Sequence, residues 1–163
     1  MLPDELWDLQ LVVREFHDIP LAGELRAFVY QGQLTALTQY YTNCFFSSLM
    51  QHKEQVAQTV QQFFHDQFQP TLSDDCSPPS FSSSASASSS SAIMKSPKLG
   101  IGKSASFILD VVVMDVGNED NDDSNRGVVK IVELNPWGEQ TGAGMFDYHH
   151  DLSILQSKKS DFN

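Results

Sequence analysis

Two acids and an amide stand where charge is out of place. Asp110 interrupts the apolar run FILDVVVM (107–114), and Glu133 and Asn135 end the run VVKIVEL and the residue after it (128–135). Strand side chains alternate between two faces, so Glu133 and Asn135 share one. A hairpin whose loop is centred on residues 121–122 sets Asp110 opposite Glu133. Two carboxylates held together repel unless one takes a proton or a cation lies between them. Oxygen donors with no histidine or cysteine among them suit Mg²⁺ or Mn²⁺. Mg²⁺ commonly keeps some of its positions for water and substrate phosphates, which points to a nucleoside triphosphate as partner.

Two arginines invite the same arithmetic. A loop over residues 18–23, centred near Pro20, would place Arg14 of QLVVREF opposite Arg26 of ELRAFVY. Like charges facing each other across strands are destabilising. An anion between them would remove the conflict, and the planar guanidinium fork matches phosphate oxygens. Surface ion pairs, Arg14 with Glu24 or Arg26 with Glu15, would remove it as well. Gln39, at the end of the next run, could add a polar contact.

These residues need strands to hold them. Residues 10–16, 24–30 and 34–40 read as an antiparallel meander, with Gln31-Gly32-Gln33 as a tight hairpin loop. Val56, Val60, Phe63, Phe64 and Phe68 recur at helical spacing and predict a helix with one buried face, ended by Pro70. Residues 107–114 and 128–134, rich in Val and Ile, predict two more strands joined by an acidic loop. A short helix is expected over 151–155. Residues 73–104 are dominated by serine and predict a disordered Ser/Pro-rich insert, because such a stretch cannot bury enough apolar area to offset its ordering entropy. The expected fold class is α+β: an antiparallel sheet with packed helices, formed by residues 1–72 and 105–156 as one domain, with 157–163 as a tail.

Composition narrows the function. The chain has 163 residues and a formal charge of −11, which disfavours nucleic acid as a partner. There is no apolar stretch long enough to span a bilayer and no basic-then-apolar leader, so no membrane partner is expected. Two cysteines, Cys44 and Cys76, far apart in sequence, fit a reducing, cytoplasmic setting without a disulfide or zinc site. Gly100-Ile101-Gly102-Lys103-Ser104 resembles the end of a phosphate-binding loop, but Pro97 stands where the first glycine belongs and no predicted strand precedes it. Asp122 and Glu133 are spaced as the outer ligands of an EF-hand, yet Arg126 fills the fifth position and the flanks read as strands. His149-His150 has no partner at zinc spacing and predicts a surface pair. No Gly-x-Ser-x-Gly nucleophile motif is present.

The order LVVREF, GELRAFVYQGQLTALTQY, FILDVVV and VKIVELNPWGEQTGAGMF resembles the cell division cycle protein 123 family and its ATP-grasp relatives, over residues 11–46 and 107–146. The resemblance implies the C-terminal half of an ATP-grasp fold, with ATP and Mg²⁺ as cofactors between two α+β halves. It implies Asp110, Glu133 and Asn135 as metal ligands and Arg14 and Arg26 as nucleotide-phosphate contacts. The expected function is assembly of translation initiation factor 2 through its gamma subunit. The alternatives are an ATP-dependent carboxylate–amine ligase working through an acyl-phosphate, and an inactive fragment. The family's N-terminal half, with its nucleotide-binding lysines, is expected to be missing here. No lysine of this chain offers itself as a substitute, since strand parity turns Lys130 away from Glu133.

Overall fold

In a computed structural model of the chain, residues 11, 13, 15–73, 99–114, 116 and 127–157 are described. Among these residues, six strands and two α-helices follow in chain order. They are β1 (Glu24–Tyr30), β2 (Gln33–Gln39), α1 (Ser47–Phe63), β3 (Leu72–Ser73), β4 (Leu99–Gly102), β5 (Phe107–Val113), β6 (Val129–Pro136) and α2 (Leu152–Leu155). Four strands form an antiparallel sheet in the order β2-β1-β5-β6, and β3 with β4 forms a separate parallel pair. The mixed α/β class with an antiparallel sheet is therefore as expected.

β5 is buried at every position. A strand with neighbours on both edges and layers on both faces reads as a continuous apolar run, and FILDVVV is one except at Asp110. On one face, Val56 and Val60 of α1, with Phe64 and Phe68 beyond it, pack on Leu25, Ala27 and Val29 of β1 and on Phe107, Leu109, Val111 and Val113 of β5. The helix continues past Phe63 through a π-helical turn (Phe64–Phe68) and a 3-10 turn (Gln69–Thr71) containing Pro70. The phenylalanine periodicity thus marks the core face, and the proline sits where the helix gives way to β3. On the other face, Trp137, Ala143, Phe146, Tyr148 and Leu155 cover Phe28, Ala36 and Ile108.

The β1–β2 turn is the two-residue loop Gln31-Gly32. Both residues have positive φ, 49° and 75°, the twist that a tight antiparallel hairpin requires. Gly32 is also pressed against the residues that follow β4. Its N–H donates to the Ala105 carbonyl at 2.9 Å, and an added Cβ would collide with the Lys103 carbonyl oxygen. Gly32→Ala should destabilise the fold by more than about 1 kcal/mol, since both φ and space oppose it. A thermal melt unchanged from that of the unaltered chain would contradict this packing.

Two expectations are corrected. Of the predicted N-terminal meander, β1 and β2 form the expected hairpin, whereas among the described residues 11, 13, 15 and 16 lie in no strand. The neighbours of Arg26 on the two edges of β1 are Thr38 of β2 and Asp110 of β5. Arg14 itself lies outside the described residues. The predicted insert of 73–104 is also drawn too wide. Ser73 belongs to β3 and residues 99–102 to β4, and the Lys103 N–H donates to the Ser73 carbonyl at 2.9 Å. Residues 74–98 lie outside the described set. Among the described residues, no helix is long and apolar enough to cross a membrane.

Candidate functional site

The predicted hairpin register is observed: Asp110 pairs with Glu133 and Ile108 with Asn135. β-Structure around Asp110 is dictated by β-branched neighbours and by two flanking strands that satisfy its backbone. The carboxylate, 1% exposed, must then find its partners on one face of the sheet. It finds them in Arg26, its cross-strand neighbour on β1. Arg26 Nε donates to Oδ1 and Nη2 to Oδ2, each at 2.8 Å, the two-pronged geometry that makes arginine–carboxylate bonds strong. Asn135 Nδ2 donates to Oδ2 at 3.0 Å. The Asp110 carboxylate also raises the Arg26 pKa above its ordinary value, chiefly through these hydrogen bonds and against the cost of burial.

The guanidinium reaches further. Its Nη1 donates to the Gly142 carbonyl at 2.5 Å, and its Cζ lies 5.0 Å from the Tyr40 ring centroid. Gly142 belongs to the loop that follows β6. That loop is fastened by the Thr141 hydroxyl, which donates to the Pro136 carbonyl at 2.9 Å, and by the Met145 N–H, which donates to the buried Thr38 hydroxyl at 3.4 Å. Arg26 thus joins three elements at one point: the central strand, the post-β6 loop and the end of β2.

Glu133 differs from Asp110 in being exposed. Asp110, Glu133 and Asn135 are therefore brought together by register, and Arg26 adds a counter-charge from the chain itself. Gln39 is not part of the group: its Nε2 donates to the Tyr41 and Cys44 carbonyls and closes the turn after β2. His149 and His150 are exposed, His150 turned to Asp147 at 3.0 Å. The His150 and His149 N–H groups donate to Asp147 Oδ1 at 2.9 and 2.8 Å and, first among the causes, lower the Asp147 pKa.

One reading of Lys130 is overturned. A β-bulge between Asp110 and Val111 leaves Val132 as an extra residue, so Lys130 pairs with Val112 rather than following simple parity. Val112 is two positions from Asp110, and Lys130 therefore shares the face of Asp110 and Glu133. Its Nζ lies 3.3 Å from His17 Nε2. There it borders a pocket of about 430 Å³ lined by Phe16, His17, Ile19, Val112, Met114 and Lys130, among others. No sequence signal announces a bulge of this kind, because an extra residue changes neither the strand's length nor its apolar character.

The profile of the D123 family matches residues 3–162. The chain belongs to the D123 (Cdc123) family. No curated protein matches it by sequence. Among solved structures, Cdc123 from Schizosaccharomyces pombe superimposes with a TM-score of 0.50 at 15% identity, covering 86% of this chain and 39% of that one. The C-terminally truncated form of the same protein gives 0.49 at 15% identity, with 86% and 38% covered. This D123 family member thus shares the fold of a part of Cdc123 and spans well under half of its length.

Whether the D123 site suits a divalent cation turns on its donors. Among the described residues, no three His, Cys, Asp or Glu side chains are placed to hold a metal. Mg²⁺ needs only one or two carboxylates, and Asp110 with Glu133 supplies two. Asn135 binds Asp110 through its nitrogen, which leaves its carbonyl oxygen as the atom for a cation. The donor set fits a hard ion, provided that Arg26 gives up its hold on Asp110.

Proposed function

We propose that this D123 family member forms one wall of an ATP-grasp-like site for ATP and Mg²⁺, and that it serves the assembly of translation initiation factor 2 by engaging the gamma subunit. The observation that carries the nucleotide reading is the pairing of Asp110 with Glu133, with Asn135 on the same face and Arg26 within reach. A bound Mg²⁺ would offset the charge of the triphosphate. Asp110, Glu133 and Asn135 would hold it, and Arg26 would meet phosphate oxygens. The neighbouring pocket has apolar walls suited to a base and Lys130 at its border. Arg14 remains a candidate second phosphate contact on the resemblance alone. The gamma-subunit partnership rests on family membership.

Asp110→Asn and Glu133→Gln should each weaken Mg²⁺-dependent ATP binding by tenfold or more, about 1.4 kcal/mol or above. Calorimetry with ATP in the presence and absence of Mg²⁺ reads this directly. Unchanged affinity in both variants would remove the metal role. Co-precipitation of the gamma subunit supports the assembly role. ADP release that depends on a carboxylate and an amine substrate would instead favour an acyl-phosphate ligase, and neither binding nor turnover would indicate an inactive fragment.

A further inference from the structure

The Asp110 carboxylate is satisfied without any cation. Both oxygens accept from Arg26, and Oδ2 accepts from Asn135 as well. The same guanidinium holds the Gly142 carbonyl through Nη1. Guanidinium nitrogens form a rigid planar fork, so Arg26 cannot leave Asp110 and stay as it is on Gly142. A divalent ion bound to an Asp110 oxygen would sit about 2.0–2.1 Å from it, close beside the guanidinium charge. Like charges at that range in a site of low polarity repel strongly.

We propose that Arg26 is a resident counter-ion that a divalent cation displaces from Asp110, and that this displacement unclasps the post-β6 loop at Gly142. The inference rests on the cation site proposed above. Its consequence is local. Thr141 and Met145 keep their own anchors, to Pro136 and Thr38, so the stretch released lies between them and contains Gly142 and Gly144. The freed guanidinium becomes available to an anion, which makes cation and triphosphate bind cooperatively. Linkage then runs both ways: a protein partner that holds the loop away from Arg26 raises cation affinity by the same factor by which the cation favours that partner.

The test uses Mn²⁺ alone, followed by its paramagnetic resonance signal, and hydrogen exchange at residues 142–144 in the intact chain. Arg26→Gln removes the charge and keeps an amide donor. It should bind Mn²⁺ at least about fivefold more tightly than the unaltered protein, the lower end of ordinary coupling between sites. Its loop amides should exchange fast before Mn²⁺ is added, whereas those of the unaltered protein should accelerate only on Mn²⁺ addition. A purely structural arginine would produce the opposite, a weaker site. Equal or weaker Mn²⁺ binding by a folded Arg26→Gln protein overturns the proposal. If that variant does not melt cooperatively, Arg26→Lys decides, because it keeps the charge and loses the fork. Fast loop exchange with Mn²⁺ affinity near that of the unaltered chain supports the clasp, and slow exchange overturns it. ATP added at saturating Mn²⁺ separates the two readings. A protein that shows the Mn²⁺ gain but no ATP binding loses the nucleotide function and keeps the clasp. One that binds Mn²⁺ in neither form loses both.

Discussion

Arg26→Ala is expected to cost about 3–5 kcal/mol of folding stability, measured as a lowered urea midpoint. The loss does not come from the attraction between the charges, which desolvation largely offsets. It comes from the carboxylate left behind. Asp110 is 1% exposed on the central strand and, among the described residues, would keep only the Asn135 amide as a side-chain partner. The Arg26 side chain, 11% exposed, also covers the face beside Tyr40 and fastens Gly142, so its methylenes and Nη1 add to the loss. Replacing both partners by apolar residues of similar size, Arg26→Met with Asp110→Leu, should recover most of the stability, since a buried ion pair is worth little against good packing. A cost below about 1 kcal/mol for Arg26→Ala would mean that the pair behaves as a solvent-screened surface bridge. The glutamine of the Mn²⁺ experiment keeps an amide donor toward Asp110 and should lose less.

Phe28→Ala is the second large effect, about 3–5 kcal/mol. Phe28 is fully buried on the sheet face opposite α1. Three rings meet it edge-on: Trp137 at 6.0 Å, Phe146 at 5.7 Å and Tyr148 at 6.4 Å between centroids. All three belong to the segment that follows β6, so this one side chain seats the whole layer that covers the site face. Its removal leaves a cavity bounded by aromatic rings, which are too bulky to close in by small shifts. The near-ultraviolet dichroism arising from Trp137 should fall along with stability. Phe28→Leu fills most of the space and should cost less than about 1.5 kcal/mol. Equal losses in the two variants would show that the layer is held by something other than this contact.

The two effects share an origin in β1. Its residues alternate between the helix side (Leu25, Ala27, Val29) and the site side (Arg26, Phe28). A strand central enough to bury both faces supplies, on one side, the apolar floor for α1. On the other it supplies the seat of the aromatic layer and the counter-charge of Asp110. Stability and site geometry are therefore carried by adjacent residues, and variants that probe the site need a fold control such as Arg26→Lys.

The local elements were legible because local chemistry produces them. Gln31-Gly32 sets a hairpin by its positive φ values, Val56 to Phe68 sets a helix face by its period, and the loop between β5 and β6 sets Asp110 against Glu133 by counting from its centre. Arg26 was legible as a residue of interest but was given the wrong neighbour. Hairpin counting pairs only strands that follow one another, and the partner of β1 across the site is β5, 84 residues on from Arg26 at Asp110. Lys130 was misplaced for a different reason: a single bulged residue reverses side-chain parity beyond it.

By itself the amino-acid sequence determined the antiparallel α+β character, the helix face, two hairpins and the gathering of Asp110, Glu133 and Asn135, since each follows from periodicity or from a turn within a short span of chain. The tertiary structure alone decided which strand lies beside β1, that Arg26 is the side chain paired with Asp110, that the same guanidinium fastens Gly142, and which face Lys130 occupies. Those outcomes depend on which distant surfaces bury one another and on where a ladder slips by one residue, and no local spacing encodes either.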